Sequence, residues 1–246
     1  MSNILGLVLV LVAAGLLLGL TFIRRKSPPV FREIPAYTRL KRAIGISVED
    51  GTRLHVSLGR SGLQTPDGAP ALAGLAMLRH LAEQTSVSDK PPVVTSGAAD
   101  LAILSRDTLQ AGYKAAGAEE LYNPSTGRLT GLTPYSYVAG AIPAIRDEDI
   151  SVSAIIGHFG PEVALLTDAV ERANSLAVAA ADDPAAQAVL FTGVDDPLIG
   201  EELFAAGAYT DAGTPHQVSL QVQDILRWAV ILILLGGSAL KLIGIL

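Results

Sequence analysis

Residues 4–23 of this chain run for twenty positions without a charge, within "ILGLVLVLVAAGLLLGLTFI", before meeting Arg24, Arg25 and Lys26. A helix rising 1.5 Å per residue over that length covers about 30 Å, the thickness of a bilayer's hydrocarbon layer. The three residues ahead of the run are uncharged and the basic triplet follows it, the reverse of a secretory signal, so the run is read as an uncleaved anchor. The opposite end carries "ILRWAVILILLGGSALKLIGIL", whose uncharged stretch 228–240 is short for a span. It becomes adequate if Arg227 and Lys241 reach opposite interfaces, with Trp228 as an interfacial aromatic. The chain therefore divides into an anchor with its basic flank (1–26), a juxtamembrane linker (27–42), a central domain (43–222) and a second transmembrane helix (223–246).

Charge orders these parts. Residues 24–60 carry nine basic and three acidic side chains, whereas residues 61–224 carry seven basic and twenty-one acidic. Lys and Arg near membrane ends favour the cytoplasmic side. The expected arrangement is two spans in a bacterial cell membrane, the N-terminus outside and the central domain cytoplasmic, with the lipid bilayer as first partner. The basic flank suits anionic lipid. The acidic body repels phosphate, so nucleic acid is not an expected partner. The absence of cysteine is compatible with a reducing compartment.

Within the central domain, short apolar runs alternate with helical patterns. Pro28, Pro29 and Pro35 mark 27–37 as an extended linker. "AIGISVEDGTRLHVSLG" places two β-like runs, 44–48 and 53–58, about Asp50-Gly51, the signature of a hairpin turn. "APALAGLAMLRHLAEQ" has helical spacing, "PPVVTSG" is a short strand, and 99–121 is helical with an expected break near Ser105. "YSYVAGAIPAI", "ISVSAIIG", "SLAVAA" and "QAVLFTGV" read as buried strands, with "PEVALLTDAVERAN" and "PLIGEELFAAGAY" as helices. The expected fold is α/β: a Rossmann-like, mainly parallel sheet with helices on both faces, preceded by a β-hairpin and flanked by the two transmembrane helices.

The richest local stretch is "SAIIGHFGPEVALL", a strand followed by Gly157, His158 and Gly160, with Pro161 and Glu162 opening a helix. Free N–H groups at such a junction can hold an anion, which makes Gly157, His158, Gly160 and Glu162 the candidate ligand-binding residues. Glu162 in the first turn competes for the same position, and the spacing matches neither a dinucleotide fingerprint nor a P-loop. In "DDPLIGEELFAAGAY", Asp196 reads as a helix cap, and Glu201 could join Glu162 as a carboxylate pair. The four histidines show no i,i+4 pairing, so sequence spacing supports no metal site, no cofactor and no catalytic constellation. Gly15 with Gly19, and Gly236 with Gly237, permit close helix packing, between the two spans of one chain or between subunits.

"AIGISVEDGTRLHVSLGRSGL", "GHFGPEVALLTDAVER", "DPLIGEELFAAGAY" and "VQDILRWAVILILLGG", in that order, resemble an uncharacterised bacterial family of two-span, membrane-anchored proteins, a domain of unknown function. The resemblance implies the same plan and assigns no residue a role. The functional expectation is a non-enzymatic scaffold or accessory subunit, a homo-oligomer or part of a membrane-protein complex at the cytoplasmic face. The alternative is a membrane-tethered ligand- or nucleotide-sensing domain using the loop at 157–162.

Overall fold

The computed structural model describes residues 2–25, 27 and 29–242, so Lys26, one of the five expected interface cations, and Pro28 of the expected linker lie outside the described residues. Two compact units emerge, one made of residues 1–32 with 213–246 and the other of residues 33–212. The first contains helices α1 (Ser2–Arg24) and α9 (Thr214–Leu242), which pack on one another. Ala13, Leu16, Leu17 and Leu20 form the half-buried stripe of α1, at the i, i+3, i+4, i+7 spacing of one helical face. Both helices contain stretches long and apolar enough to cross a membrane, which supports membrane association. The second span is the C-terminal part of a single 29-residue helix.

The other unit begins with α2 (Pro35–Glu49), followed by β1 (Arg53–Gly59), α3 (Ala69–Thr85), β2 (Val93–Ser96) and α4 (Ala99–Ala115). It continues through β3 (Gly127–Leu129), α5 (Pro134–Asp147), β4 (Ile150–His158), α6 (Val163–Arg172), β5 (Leu176–Ala181), α7 (Pro184–Gly193) and the single turn α8 (Ala206–Tyr209). The five strands form one sheet in the order β3-β2-β1-β4-β5, parallel at every pairing. Leu40 and Ile44 of α2 and Leu81 of α3 meet Leu54, Val56, Val152 and Ala154 on one face. The opposite face buries Tyr137 and Ile145 of α5, Val163 and Leu166 of α6, and Ala186 and Leu190 of α7 against Ile155, Ala179 and Ala181. The expected parallel sheet with helices on both faces is the fold observed.

Five local expectations are corrected. No hairpin precedes the sheet: residues 44–48 belong to α2, whose buried positions Ala36, Tyr37, Leu40, Ile44 and Ser47 follow helical spacing. Pro35, read as part of an extended linker, occupies the first turn of that helix, where its missing N–H costs nothing. Asp50-Gly51 ends the helix instead of turning a hairpin. Gly51 has φ +65°, and the Thr52 amide donates to the Ser47 carbonyl at 3.0 Å, the long bond of a Schellman cap.

Residues 135–145, read as a strand, lie within α5 (Pro134–Asp147). Thr133 and Ser136 make a reciprocal capping box at its start, and Tyr137, Val138, Ala141, Ala144 and Ile145 face the core. "QAVLFTGV", also read as a strand, lies in α7, because Asp183 accepts from the amides of Ala185 and Ala186 at 2.8 and 3.0 Å and Pro184 follows it. Helix α4 runs unbroken through Ser105, whose hydroxyl donates to the Ala102 carbonyl at 2.9 Å instead of capping a new helix.

Candidate functional site at the carboxyl edge of the sheet

In strand order β3-β2-β1-β4-β5 the chain leaves β1 toward one side and later returns to build the other, so β1 and β4 flank the reversal point. Open parallel sheets bind ligands in the crevice beyond the carboxyl ends of the two strands at such a point. Here those ends approach closely. A Cβ on Gly157 would stand 2.2 Å from the Leu58 carbonyl oxygen. Gly59, at φ +76°, would bring one to 2.5 Å from that of His158. Only glycine allows this crossing.

His158 is the last residue of β4, and Asp182 follows the last residue of β5. Because Gly157 pairs with Ala181, the two next residues emerge side by side. His158 Nδ1 lies 2.9 and 3.0 Å from the two carboxylate oxygens of Asp182. Gln187 of α7 braces the turn by donating to the Ala181 carbonyl at 3.0 Å. Asp67, in the short 3₁₀ turn before α3, brings a third group, and one ligating atom from each of Asp67, His158 and Asp182 lies within 4.8 Å of the others. Asp67 is exposed, the other two half-buried.

Beside this cluster, Glu162 is 5% exposed. It accepts from the Gly160 amide at 2.9 Å and from Arg60 Nε at 3.1 Å. A carboxylate of the chain thus fills the position an anion would take at the start of α6. The helix begins at Val163, two residues later than expected, with Pro161 in the preceding turn, where Val163 and Ala164 amides donate to Gly160 and Pro161. Nearby carboxylates are committed to the backbone: Asp100 accepts from Leu63 N at 2.7 Å, and Asp183 caps α7.

Glu162 meets the Gly160 amide and Arg60, whereas His158 meets Asp182 and Asp67, neither of which sequence reasoning singled out. Their only signal was position, each lying just past or between predicted elements at a strand's carboxyl end. Glu201 lies in a separate 3₁₀ segment, 200–205, and Asp196 forms an ion pair with Arg39 instead of capping it. A cavity of about 610 Å³ lies toward the amino end of β5, lined by Thr167, Glu171, Asn174, Thr192 and Asp195 among others. Its lining gathers no histidine and no paired acid–base groups, so chemistry favours the carboxyl edge.

The profile of a domain-of-unknown-function family, DUF6754, matches residues 1–246, the whole chain. The chain belongs to the DUF6754 family. No curated relative and no solved structure matches it. For this DUF6754 member, the carboxyl-edge cluster is therefore argued from geometry alone.

The remaining expected residues lie in the unit containing α1 and α9. Arg24 closes α1 and Arg25 stands in the turn after it. Arg227, Trp228 and Lys241 lie on α9, Arg227 3.5 Å from Asp224 one turn earlier. A Cβ at Gly15, Gly19, Gly236 or Gly237 would meet nothing within 4 Å among the described residues.

Proposed function

We propose that this protein is a membrane-tethered ligand-binding domain, with its site at the carboxyl edge between β1, β4 and β5. The observation that carries the reading is the convergence there of His158, Asp182, Asp67 and the Arg60–Glu162 pair, contributed by separate loops at the fold's reversal point. The charge at this edge defines the ligand class. Glu162 already satisfies Arg60 and the Gly160 amide, while among the described residues no Lys or Arg pairs with Asp67 or Asp182, so the edge favours a cationic or cation-carrying ligand over a free anion. The basic flank that follows the first candidate span supports the reading of a bacterial membrane protein with its N-terminus outside and its domain cytoplasmic.

The test is a thermal-shift screen of the full chain in detergent against amines, nucleotides with and without divalent cations, and phosphorylated metabolites. A ligand at 100 times its Kd adds about 2.7 kcal/mol, several degrees in Tm. A hit whose shift disappears in Asp182→Asn supports the site, and a screen in which no compound moves Tm removes the reading.

A second reading, a self-associating scaffold or accessory subunit, is favoured by the open faces of Gly15, Gly19 and Gly236, which leave room for a helix from another chain. Cross-linking in native membranes through Gly15→Cys tests it. Capture of a homodimer supports the reading, and a chain that stays monomeric by cross-linking and by mass rejects it.

A further inference from the structure

We infer that Asp67, His158 and Asp182 form a binding site for a single divalent first-row metal cation of the Mn²⁺ type. The inference deepens the ligand-binding reading above and rests on it for its place in the fold.

Spacing is the first argument. Two cis ligands roughly 2.1 Å from one ion stand about 3.0 Å apart in octahedral geometry and about 3.4 Å in tetrahedral geometry. His158 Nδ1 and the Asp182 carboxylate are 2.9 Å apart, so a cation can take the place of the proton between them with almost no movement of either strand end. Asp67 then closes a third position. Its ligating atom lies within 4.8 Å of the others, and its exposed side chain reaches the ion by rotation about its own bonds.

The donor set is the second argument. One imidazole nitrogen and two carboxylate oxygens suit a borderline cation that accepts both, with water completing the shell, better than a thiophilic one. The anchoring is uneven in a useful way. His158 and Asp182 are held by adjacent paired strands and by the Gln187 brace, which preorganises two ligands, while Asp67 on its 3₁₀ turn can close over the ion. The ion also supplies what the cluster lacks: among the described residues no Lys or Arg pairs with Asp67 or Asp182.

The test uses the detergent-solubilised full chain, stripped with chelator and titrated with Mn²⁺ at pH 7.5. Electron paramagnetic resonance reads free ion, and electron spin echo modulation reads a directly bound nitrogen. The expected result is one Mn²⁺ per chain with an imidazole ¹⁴N signature. In His158→Ala the ¹⁴N signature disappears, and Asp67→Asn and Asp182→Asn each weaken binding at least tenfold. Asp195→Asn, on the opposite side of the sheet, leaves binding unchanged. Circular dichroism and metal-free Tm establish that each variant is folded, and Asp67→Asn, altered only at an exposed turn, keeps the test informative if His158→Ala does not fold. Absence of stoichiometric Mn²⁺, binding without nitrogen coupling, or binding unchanged in Asp67→Asn overturns the inference. The two readings fail separately: small-molecule shifts that persist in chelator keep the ligand site and reject the cation, whereas stoichiometric Mn²⁺ with no small-molecule shift keeps the cation site alone.

Discussion

The amino and carboxyl edges of the sheet are both rich in charge, and they use it differently. At the amino edge Glu148 receives Arg53 from the start of β1 and Arg128 from β3, while Lys90 pairs with Asp149. Burial alone would push the Glu148 carboxyl upward, but the two guanidiniums outweigh it and hold Glu148 below the usual carboxylate range. Glu148 and Asp149 each have a cation, and the pairs lock strand starts to the end of α5. At the carboxyl edge, among the described residues, Arg60 pairs with Glu162, and Asp67, His158 and Asp182 form a separate cluster in which no Lys or Arg takes part. Groups arranged for stability find partners within the fold, and groups arranged for a ligand leave that place open.

Between the two edges lies a buried polar strip. His55 Nε2 is 2.9 Å from Thr95 Oγ1 and its Nδ1 3.3 Å from Ser153 Oγ, while Tyr137 OH meets Ser57 and Thr95. Burial pushes the His55 imidazole down to about 4, with Glu148 opposing and Arg128 adding to the fall. The strip is satisfied by neutral partners from β1, β2, β4 and α5 and stays neutral in the folded state.

The comparison can be broken in four places. The largest effect belongs to the strand crossing. Gly157→Ala forces a methyl against the Leu58 carbonyl and should cost more than about 3 kcal/mol, read as loss of the folded domain by circular dichroism. Next comes pH. The unfolded chain protonates His55 near 6.5 and the folded one near 4, so stability is complete above pH 6.5 and falls as pH drops toward 4, by on the order of 3 kcal/mol. In His55→Gln that part of the acid sensitivity should be gone, and an unchanged Tm–pH curve would remove His55 as its source.

Third, Glu148→Ala leaves two guanidiniums without their carboxylate and should lower stability by about 2 kcal/mol. Smallest is Asp182→Asn at the opposite edge, expected to change metal-free stability by less than about 0.5 kcal/mol, since it relieves repulsion with Asp67 as it weakens the bond to His158. Equal losses for Glu148→Ala and Asp182→Asn in thermal melts would erase the distinction between a structural edge and a ligand edge.

Legibility in the sequence followed the range of the interactions. The apolar ends were readable because twenty uncharged residues admit few environments, and "ISVSAIIG" and "SLAVAA" because buried parallel strands are continuous apolar runs. Helices α5 and α7 were misread because their inward faces, Tyr137, Val138, Ala141, Ala144 and Ile145 in one and Ala186 and Leu190 in the other, lie within short apolar runs that read equally as buried strands. What decides them is capping by Thr133 and Asp183. Asp50-Gly51 was ambiguous for the same reason, since positive φ serves a hairpin and a helix end alike.

The sequence by itself determined that the chain has two membrane-compatible helices around an α/β domain, because apolar length and the alternation of strand and helix patterns are local properties. It also placed Glu162 where a helix start would bind an anion. Only the tertiary structure decided that Glu162 is already engaged by Arg60 and the Gly160 amide, 102 positions separating the two side chains. It likewise decided that Asp67, His158 and Asp182 share one site. Their proximity depends on which strands pair and in what register, and that choice is made by burial over the whole sheet, which no short stretch of sequence encodes.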